Sequence, residues 1–374
     1  MDIQALSKQF GVNAEVGSHG QYPVFFARVR DKKVLLICDL NTRPLADALI
    51  DGLTKNGICH DVFTYPEHEP VADETTIETA MNAAKGHDYL LAVGAGTLND
   101  IAKRTAYLLH KECGVFATAP SMDGFTSGVA PLIEKGFKIT RESNVVRDVL
   151  LDYAVLSAAP KIMLGAGVGD ILAKYCCLTD WKISSYLTGE TFGEEAANLM
   201  YEAVRACDAS IPDLIAGKPA GAEKLMNALL VSGYAMVIAG NSRPASGAEH
   251  HMSHFLEMDF LARGERIPLH GVKVGLGTAV SLYLYHNLQK YPRFEGCEKV
   301  YEEAEKLPSS EYVLDILRKL HCPAKFSELG VSKETVRKMF FEAYKIRDRF
   351  TVLTLYCTQG FMERAADELI ARFY

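Results

Sequence analysis

The chain has 374 residues, of which 48% are hydrophobic and 23% are charged. This composition excludes disordered, collagen-like and disulfide-scaffold proteins, and the length favours two domains. Forty lysines and arginines against 47 aspartates and glutamates give a net charge of −7, which argues against nucleic acid as a partner. The nine cysteines show no CxxC spacing, and therefore predict reduced thiols and a cytoplasmic location.

The sequence predicts neither a targeting segment nor a membrane span. Its first residues lack a basic segment followed by an apolar run, so no signal or transit peptide is expected. The longest nearly uncharged apolar stretch, 228–240, has 13 residues. Since a bilayer span needs about 20 residues, this stretch predicts a buried helix.

Short apolar runs alternate with helical patterns through the first 160 residues, which predicts β-α-β units and a mainly parallel sheet. The predicted strands are 34–38, 60–64, 89–93, 114–117 and 148–153, and the predicted helices are 44–55, 75–85 and one that begins near residue 99. We therefore expect an α/β, Rossmann-like nucleotide-binding domain over residues 1–160.

Long segments with a 3.6-residue period dominate the rest of the chain. These segments are 171–181, 194–206, 222–240, 298–307, 311–320, 333–345 and 361–373. They predict an all-α domain over residues 161–374. The glycine cluster 165–169 follows no convincing strand and indicates a close backbone approach rather than a phosphate site.

A glycine-rich turn, Gly94-Ala95-Gly96-Thr97, directly follows a predicted strand and opens a helix. Glycines there let backbone N–H groups approach a pyrophosphate, and the helix N-terminus adds partial positive charge. The turn departs from GxGxxG because Asn99 stands at the third glycine. A plain β-α turn, with Asn99 or Asp100 as a helix cap, remains the alternative.

A polar loop, Thr118 to Ser127, follows the next predicted strand. In a parallel sheet this loop lies at the same edge as the glycine turn, so the two form a cleft. Its hydroxyl groups suit phosphate or ribose contacts, and Asp123 would face the ligand. The alternative is a polar loop that Asp123 caps.

Three histidines occur within residues 250–254, and His270 follows 20 residues after His250. Positions i and i+4 share one helix face, so His250 and His254 can face one site. Together with the carboxylate of Asp170 they can bind a divalent metal and leave positions open for a substrate. The alternative is that these histidines are structural, and sequence spacing alone does not bring Asp170 near them.

The order of these motifs resembles the sn-glycerol-1-phosphate dehydrogenase family, within the superfamily of metal-dependent polyol dehydrogenases and 3-dehydroquinate synthase. The resemblance runs from about Val34 to the C-terminal helices. Its most specific element is S-R-P-A-S-G followed by Glu249-His250, and the others are the T-x-P-S-x-D-G loop, G-x-G-D-x-x-A-K-Y and a late His-Gly. It implies a dehydroquinate synthase-like fold with a metal in the cleft between a Rossmann-like domain and an α-helical domain.

The resemblance also implies a ligand set and substrate contacts. The metal ligands are expected to be Asp170, His250 and His270, since His250 is the first histidine of the family's H-x-x-x-H pair. Zn, Ni and Fe all accept a carboxylate with two imidazoles. Asp123 and His254 would lie beside the substrate and move its proton. Arg243 would pair with a substrate phosphate, although a buried structural ion pair is an equal alternative.

A nicotinamide dinucleotide is the cofactor that the resemblance implies. Its expected contacts are Gly94, Gly96, Thr97, Asn99, Asp100, Thr118, Ser121 and Ser127. Asp39, at a predicted strand end, would hold the adenosine ribose and favour NAD over NADP by charge repulsion. The implied reaction is the reversible reduction of dihydroxyacetone phosphate to sn-glycerol 1-phosphate. A homodimer is compatible with the helical half, but the sequence does not decide it.

Three other functions remain open from the sequence. A glycerol dehydrogenase would share the fold, the metal and the cofactor. A lyase like 3-dehydroquinate synthase typically has Glu as its first ligand, where this chain has Asp170. The third is a non-catalytic metal- or nucleotide-binding protein. The chain also lacks the acidic or amide residue that commonly follows His-Gly in relatives, because it reads His270-Gly271-Val272, so a partner of the ligand is expected to be lost.

Overall fold

Strands and helices alternate in the first part of the chain, and helices alone follow, in the computed structural model, which describes residues 2–374. The strands are β1 (Asn13–Val16), β2 (Val34–Cys38), β3 (His60–Thr64), β4 (Tyr89–Gly94), β5 (Glu112–Ala117), β6 (Val129–Glu134), β7 (Phe137–Glu142) and β8 (Asp148–Leu151). The first helices are α1 (Ile3–Gln9), α2 (Pro23–Arg28), α3 (Asp47–Lys55), α4 (Glu74–Ala83), α5 (Gly96–Leu108) and α6 (Tyr153–Ser157).

The remaining helices form the second part of the chain. They are α7 (Lys161–Thr188), α8 (Glu194–Ile215), α9 (Pro219–Ala239), α10 (Ala248–Ala262), α11 (His270–Asn287), α12 (Cys297–Ala304), α13 (Ser310–Lys319), α14 (Lys333–Glu342), α15 (Val352–Thr358) and α16 (Met362–Phe373). Short 3-10 helices cover Arg43–Ala46, Leu288–Lys290, Phe326–Leu329 and Ala343–Lys345.

The main sheet is parallel throughout and has the order β1-β8-β5-β4-β2-β3. Strands β2 and β4 are buried along their whole length, as expected for continuous apolar runs in a parallel sheet. This arrangement confirms the predicted fold class, a parallel α/β sheet followed by a helical part. Since β4 and β5 are parallel neighbours, the loops that follow them leave the same edge of the sheet.

Several elements differ from the sequence prediction. The prediction missed β1, which pairs with β8 at the sheet edge, and the antiparallel β6–β7 hairpin. Both lack the long apolar run of a central strand. Helix α5 begins at Gly96 rather than near Asn99, so Asn99 and Asp100 lie inside the helix and do not cap it.

The chain forms two compact units. The first contains the residues up to Pro160 together with 212–234, and the second contains 161–211 and 235–374. Residues 212–234 include most of α9, and Thr126 Oγ1 of the first unit donates to the Leu230 carbonyl at 3.2 Å. The domain division at residue 160 stays a prediction, and the units depart from it only in this segment.

Two helices, Lys161–Thr188 and Pro219–Ala239, are long and apolar enough to cross a membrane by length and composition alone. Buried positions make up 83% of the most apolar window of the first and 61% of that of the second. Core helices of folded units have this character, as the sequence predicts for 228–240.

The glycine cluster in α7 lets this helix approach α11 closely. A Cβ on Gly169 would lie 2.3 Å from the Gly271 carbonyl oxygen, and a Cβ on Gly271 would lie 1.9 Å from the Ala166 carbonyl oxygen. Side chains of any size would force the helices apart. The predicted close backbone approach is confirmed, and it holds Asp170 of α7 next to His270 at the start of α11.

We expect Gly271→Ala to lower the free energy of unfolding by about 3 kcal/mol, because the new methyl group overlaps backbone atoms that do not move independently. Displacement of α11 should also reduce bound metal. Urea unfolding and metal content measure the two effects. Gly128→Ala is the matched control, since its Cβ would meet only Val145 Cγ2 at 3.6 Å. Equal unfolding midpoints for the two variants would contradict the packing argument.

Candidate metal centre and cofactor loops

Asp170, His250 and His270 converge in the second unit. One ligand atom from each side chain lies within 4.8 Å of the other two. His250 Nε2 is 3.6 Å from Asp170 Oδ1, and the ring centroids of His250 and His270 are 5.2 Å apart. A cation with bonds of about 2 Å fits between donors at such separations after small adjustments. The structure thus brings together the three residues that the sequence could not place in one site.

Two glutamates of α10 orient the imidazoles. Glu249 Oε1 lies 2.8 Å from Nδ1 of His250, and Glu257 Oε1 lies 3.1 Å from Nδ1 of His270. A carboxylate that accepts a hydrogen bond from Nδ1 keeps the imidazole proton on that nitrogen and leaves the Nε2 lone pair to coordinate a metal. The expectation of a lost partner after His270 is therefore wrong, because Glu257 supplies it from another helix.

Lys174 lies one helical turn after Asp170, and its Nζ is 2.9 Å from Asp170 Oδ1. Both side chains are fully buried. Burial by itself raises the pKa of Asp170, but the Lys174 ammonium and the hydrogen bond with His250 outweigh it and hold the pKa below its ordinary range. The carboxylate is therefore ionised at neutral pH, as a metal ligand must be.

His254 lies beside the cluster and shares the Glu257 carboxylate with His270. Its ring centroid is 5.9 Å from that of His270, and its Nδ1 is 3.0 Å from Glu257 Oε2. The position i+4 from His250 on α10 confirms that the two histidines share a helix face. His251 instead is fully buried, and neither ring nitrogen has a hydrogen-bond partner among the described residues. Burial lowers the pKa of His251 to about 3, so it remains neutral.

Glu257→Gln is expected to weaken metal binding about 10- to 100-fold, because one carboxylate fixes the Nδ1 protons of both His254 and His270. Competition with a chelator measures the metal affinity. Glu265→Gln is the matched control, since that carboxylate is half exposed and pairs with Arg263. Unchanged affinity in Glu257→Gln would show that the imidazoles are oriented without it.

The glycine turn and the loop after β5 touch one another in the first unit. The Thr118 N–H donates to the Gly94 carbonyl at 3.1 Å, and a Cβ on Gly96 would meet Met122 Cγ at 3.0 Å. No described side chain caps the N-terminus of α5. Its first N–H groups and the exposed Thr97 can therefore receive an anion such as a pyrophosphate.

Buried polar groups connect these two loops. Asn99 is fully buried and donates from Nδ2 to the Phe125 carbonyl at 3.4 Å, whereas its Oδ1 has no partner among the described residues. Lys103 Nζ donates to Gly124 O at 3.0 Å, to Ser127 Oγ at 3.1 Å and to Val129 O at 2.7 Å. Lys103 is therefore the centre around which the second loop folds.

Asp100 lies beside this lysine, with its Oδ1 3.5 Å from Lys103 Nζ. Burial raises the pKa of Asp100 to about 6 although the ammonium acts against it. The Asp100 side chain therefore lies in the protein interior, beside Lys103. Ser127 Oγ likewise lies within hydrogen-bond distance of two carbonyl oxygens in this part of the chain, Gly124 O at 3.1 Å and Val129 O at 3.0 Å, and can donate to one of them. Cofactor contacts by Asp100 and Ser127 stay predictions.

Two other predicted aspartates of the first unit make local hydrogen bonds. Asp39 Oδ1 accepts from the Thr42 N–H at 2.8 Å and from Thr42 Oγ1 at 2.9 Å, which closes the turn after β2. Asp123 is half-buried, and Ser232 Oγ donates to its Oδ2 at 2.7 Å. A ribose contact by Asp39 and a substrate contact by Asp123 remain predictions.

Arg243 lies in a buried ion pair. Its Nε donates to Glu190 Oε1 at 2.7 Å, its second Nη donates to the other oxygen of Glu190, and its first Nη donates to the Phe350 carbonyl at 3.0 Å. The side chain is 4% exposed. Because these contacts occupy the guanidinium fork, the structure corrects the expected phosphate contact of Arg243 and favours the alternative, a structural ion pair.

The groups that support the predicted ligands were not predicted from the sequence. Glu249 and Glu257 stand beside the histidine motif, and Glu257 is three residues after His254 on the same helix. Lys174 is four residues after Asp170, a spacing that signals an acid–base pair on a helix. Lys103 has one local partner, Asp100, and its three closer oxygen partners are all more than 20 residues later in the chain, so local spacing did not indicate its role.

Comparison with known proteins gives the same fold. A family model described as iron-containing alcohol dehydrogenase matches residues 13–160. Among solved structures, a probable glycerol dehydrogenase from Sinorhizobium meliloti 1021 superposes with a TM-score of 0.67 at 20% identity, covering 96% of this chain and 95% of that one. A 1,3-propanediol oxidoreductase gives 0.71 at 16% identity and covers 94% and 97%. The fold is therefore that of the iron-containing alcohol dehydrogenases.

Curated relatives identify one family within this class of proteins. A glycerol-1-phosphate dehydrogenase (NAD(P)+) of Bacillus velezensis is 39% identical over 86% of this chain and 84% of the relative. Proteins with the same name from Bacillus subtilis and Methanothrix thermoacetophila are 35% and 31% identical, covering 88% and 90% of this chain and 86% and 88% of the relatives. The chain belongs to the glycerol-1-phosphate dehydrogenase family.

Proposed function

We propose that this chain reduces dihydroxyacetone phosphate to sn-glycerol 1-phosphate with NADH or NADPH, and catalyses the reverse reaction. Relatives of this name align over most of the chain. The structural observation that carries the proposal is the convergence of Asp170, His250 and His270, whose donors suit a divalent metal. In the balanced reaction a hydride from the cofactor adds to the ketone carbon, and a proton adds to the ketone oxygen.

Asp170, His250 and His270 would hold the metal. When bound, a divalent cation supplies Lewis-acid polarisation of the substrate ketone. Glu249 and Glu257 keep the two imidazoles in the donor tautomer, and the Lys174 ammonium keeps Asp170 ionised.

His254 is the group proposed to deliver the proton. Glu257 Oε2 accepts from Nδ1 of His254 at 3.0 Å, and Nε2, which lies 3.5 Å from an Arg347 Nη, would exchange a proton with the substrate oxygen. Asp123 is the second proposed group for this step. The N–H groups at the start of α5 and the hydroxyls after β5 would bind the dinucleotide.

The metal-loaded enzyme, followed by NADH oxidation, tests the proposal with dihydroxyacetone phosphate beside unphosphorylated dihydroxyacetone. We expect kcat/KM to be about 100-fold or more higher with the phosphate, since charged hydrogen bonds to a phosphate supply that much selectivity. Equal kcat/KM values would instead indicate a polyol dehydrogenase. Absence of NADH consumption with both ketones would contradict a dehydrogenase and favour a lyase-type reaction.

A cytoplasmic location is part of the proposal. All nine cysteines, which lie within the described residues, are free thiols and most of them are buried, which supports a reducing compartment. The proposed partner is a small phosphorylated alcohol or ketone. Homodimer formation stays a prediction that sedimentation velocity tests.

A further inference from the structure

Two arginines follow the 3-10 helix Ala343–Lys345 and precede α15. Arg347 and Arg349 are half-buried, and burial of an arginine usually requires that its charge be paired. Burial, reinforced by the nearby positive charges of Arg347 and Arg243, lowers the pKa of Arg349 to about 10. Burial also lowers the pKa of Arg347, although Glu257 acts in the opposite direction.

The contacts of these two arginines are neutral. Arg349 donates to Ser242 Oγ at 2.7 Å and to the Ser246 carbonyl at 3.1 Å, and Arg347 donates to Ser242 Oγ at 3.2 Å. Among residues 2–374, no carboxylate oxygen lies within 4.0 Å of either guanidinium. Arg243 differs, because Glu190 neutralises it. Two neighbouring half-buried cations, neither in direct contact with a carboxylate, favour binding of an anion from outside the chain.

A cavity of about 540 Å³ lies against these side chains. Its charged lining consists of the cations Arg243, Lys345, Arg347 and Arg349 and the carboxylates Glu190 and Asp348. Since Glu190 is already paired with Arg243, three cations and the single carboxylate of Asp348 remain, and the net charge of the remaining lining is positive. The volume is ample for a small phosphorylated ligand, and guanidinium groups match the geometry of phosphate oxygens.

Arg347 links this cavity to the histidine cluster. Its second Nη is 3.5 Å from His254 Nε2, and the His254 ring centroid is 6.3 Å from that of His250. A single histidine therefore separates the arginine pair from the candidate metal ligands. A three-carbon molecule with an oxygen at one carbon and a phosphate on the next can reach from the candidate metal ligands to the arginine pair.

We propose that Arg347 and Arg349 bind the substrate phosphate and set the preference for a phosphorylated over an unphosphorylated ketone. This inference rests on the proposed function and deepens it. The pair takes the place that the sequence analysis gave to Arg243. Ser242 holds the two guanidinium groups side by side, and the cavity beside them receives the phosphate.

Arg347→Met and Arg349→Met test the assignment, because methionine keeps an apolar stem and removes the charge. We expect each to lower kcat/KM with dihydroxyacetone phosphate about 100-fold, as for loss of charged hydrogen bonds. The preference for the phosphorylated ketone, measured as the ratio of kcat/KM with dihydroxyacetone phosphate to kcat/KM with dihydroxyacetone, should therefore fall in both variants. The matched control is Arg337→Met, whose half-exposed side chain pairs with Asp367 and should change neither value.

Inorganic phosphate provides a readout that does not depend on turnover. Phosphate should raise the thermal midpoint of the metal-loaded wild type and of Arg337→Met, and should fail to raise that of either cavity variant. Arg347→Lys and Arg349→Lys keep a positive charge and should retain part of the protection by phosphate. These lysine variants keep the assignment testable if a methionine variant does not fold.

The results of these experiments distinguish a failure of the arginine assignment from a failure of the proposed function. If the wild type prefers the phosphorylated ketone and both methionine variants keep that preference and the phosphate protection, the arginine assignment is overturned while the function stands. If the wild type reduces neither ketone, the proposed function fails, but phosphate protection that requires both arginines still supports the anion site. If the methionine variants lose both the preference for the phosphorylated ketone and the protection by phosphate, the arginine assignment and the proposed function are both supported.

Discussion

His250→Ala is expected to lower kcat/KM with dihydroxyacetone phosphate about 1,000-fold and to remove stoichiometric metal. His250 is one of three side chains whose ligand atoms converge, and Glu249 orients it. Metal polarisation of a carbonyl contributes several kcal/mol to lowering the barrier, and about 4 kcal/mol corresponds to a factor of 1,000. Elemental analysis and NADH oxidation measure the two effects on the same preparation.

His251→Leu is the matched control for His250→Ala. The neighbouring imidazole is fully buried and its nitrogens have no partners within residues 2–374, so an apolar side chain of similar size should leave metal content and activity unchanged. Full metal content in His250→Ala would contradict the ligand assignment. Metal loss in His251→Leu alone would indicate that the second histidine is the ligand.

The second large effect is expected for Lys103→Met, which should lower the free energy of unfolding by about 3 kcal/mol. The substitution leaves Asp100 buried without its ammonium and removes the donor shared by Gly124 O, Ser127 Oγ and Val129 O. NADH affinity should also fall, because the loop after β5 loses its support. Urea unfolding and fluorescence titration with NADH measure these changes.

Lys8→Met is the control for Lys103→Met, since Lys8 is exposed on α1. Its unfolding midpoint and NADH affinity should match those of the wild type. A Lys103→Met protein as stable as this control would show that the buried ammonium is dispensable. Normal NADH affinity despite lower stability would separate the loop's folding from cofactor binding.

The central strands of the sheet were predictable because their apolar runs are continuous. Val34–Cys38 has the predicted bounds, and Tyr89–Gly94 extends one residue beyond its prediction. The edge strand Asn13–Val16 is short and mixes polar with apolar residues, so its pairing with β8 depends on tertiary structure. Pro131 obscured strand β6 in the same way, since proline is uncommon inside strands.

Helices buried on all sides were difficult to bound from the sequence. Helix α11 is buried from Gly271 to Leu282, so it has no single apolar stripe with a 3.6-residue period. The sequence identified His270 as a candidate ligand but not the helix that begins there. Amphipathic helices near the surface, such as Met362–Phe373, were predicted to within one residue.

The site shows what spacing along the chain can and cannot establish. The i and i+4 positions of His250 and His254 predicted a shared helix face, and the structure has it. The approach of Asp170 depends on glycine contacts between α7 and α11, which no local pattern encodes. The role of Arg243 depended on Glu190, 53 residues away, and on whether that carboxylate faced it.

The most direct test of the proposed function is the stereochemistry of the reduced product. Dihydroxyacetone phosphate should be converted completely by the metal-loaded protein with excess NADH, and the product then offered with NAD+ to a dehydrogenase specific for sn-glycerol 3-phosphate. We expect this enzyme to leave the product untouched, whereas the present protein should reoxidise it when hydrazine traps the ketone that forms. Oxidation by the sn-3-specific enzyme would contradict the account, because it would show hydride delivery to the opposite face of the ketone.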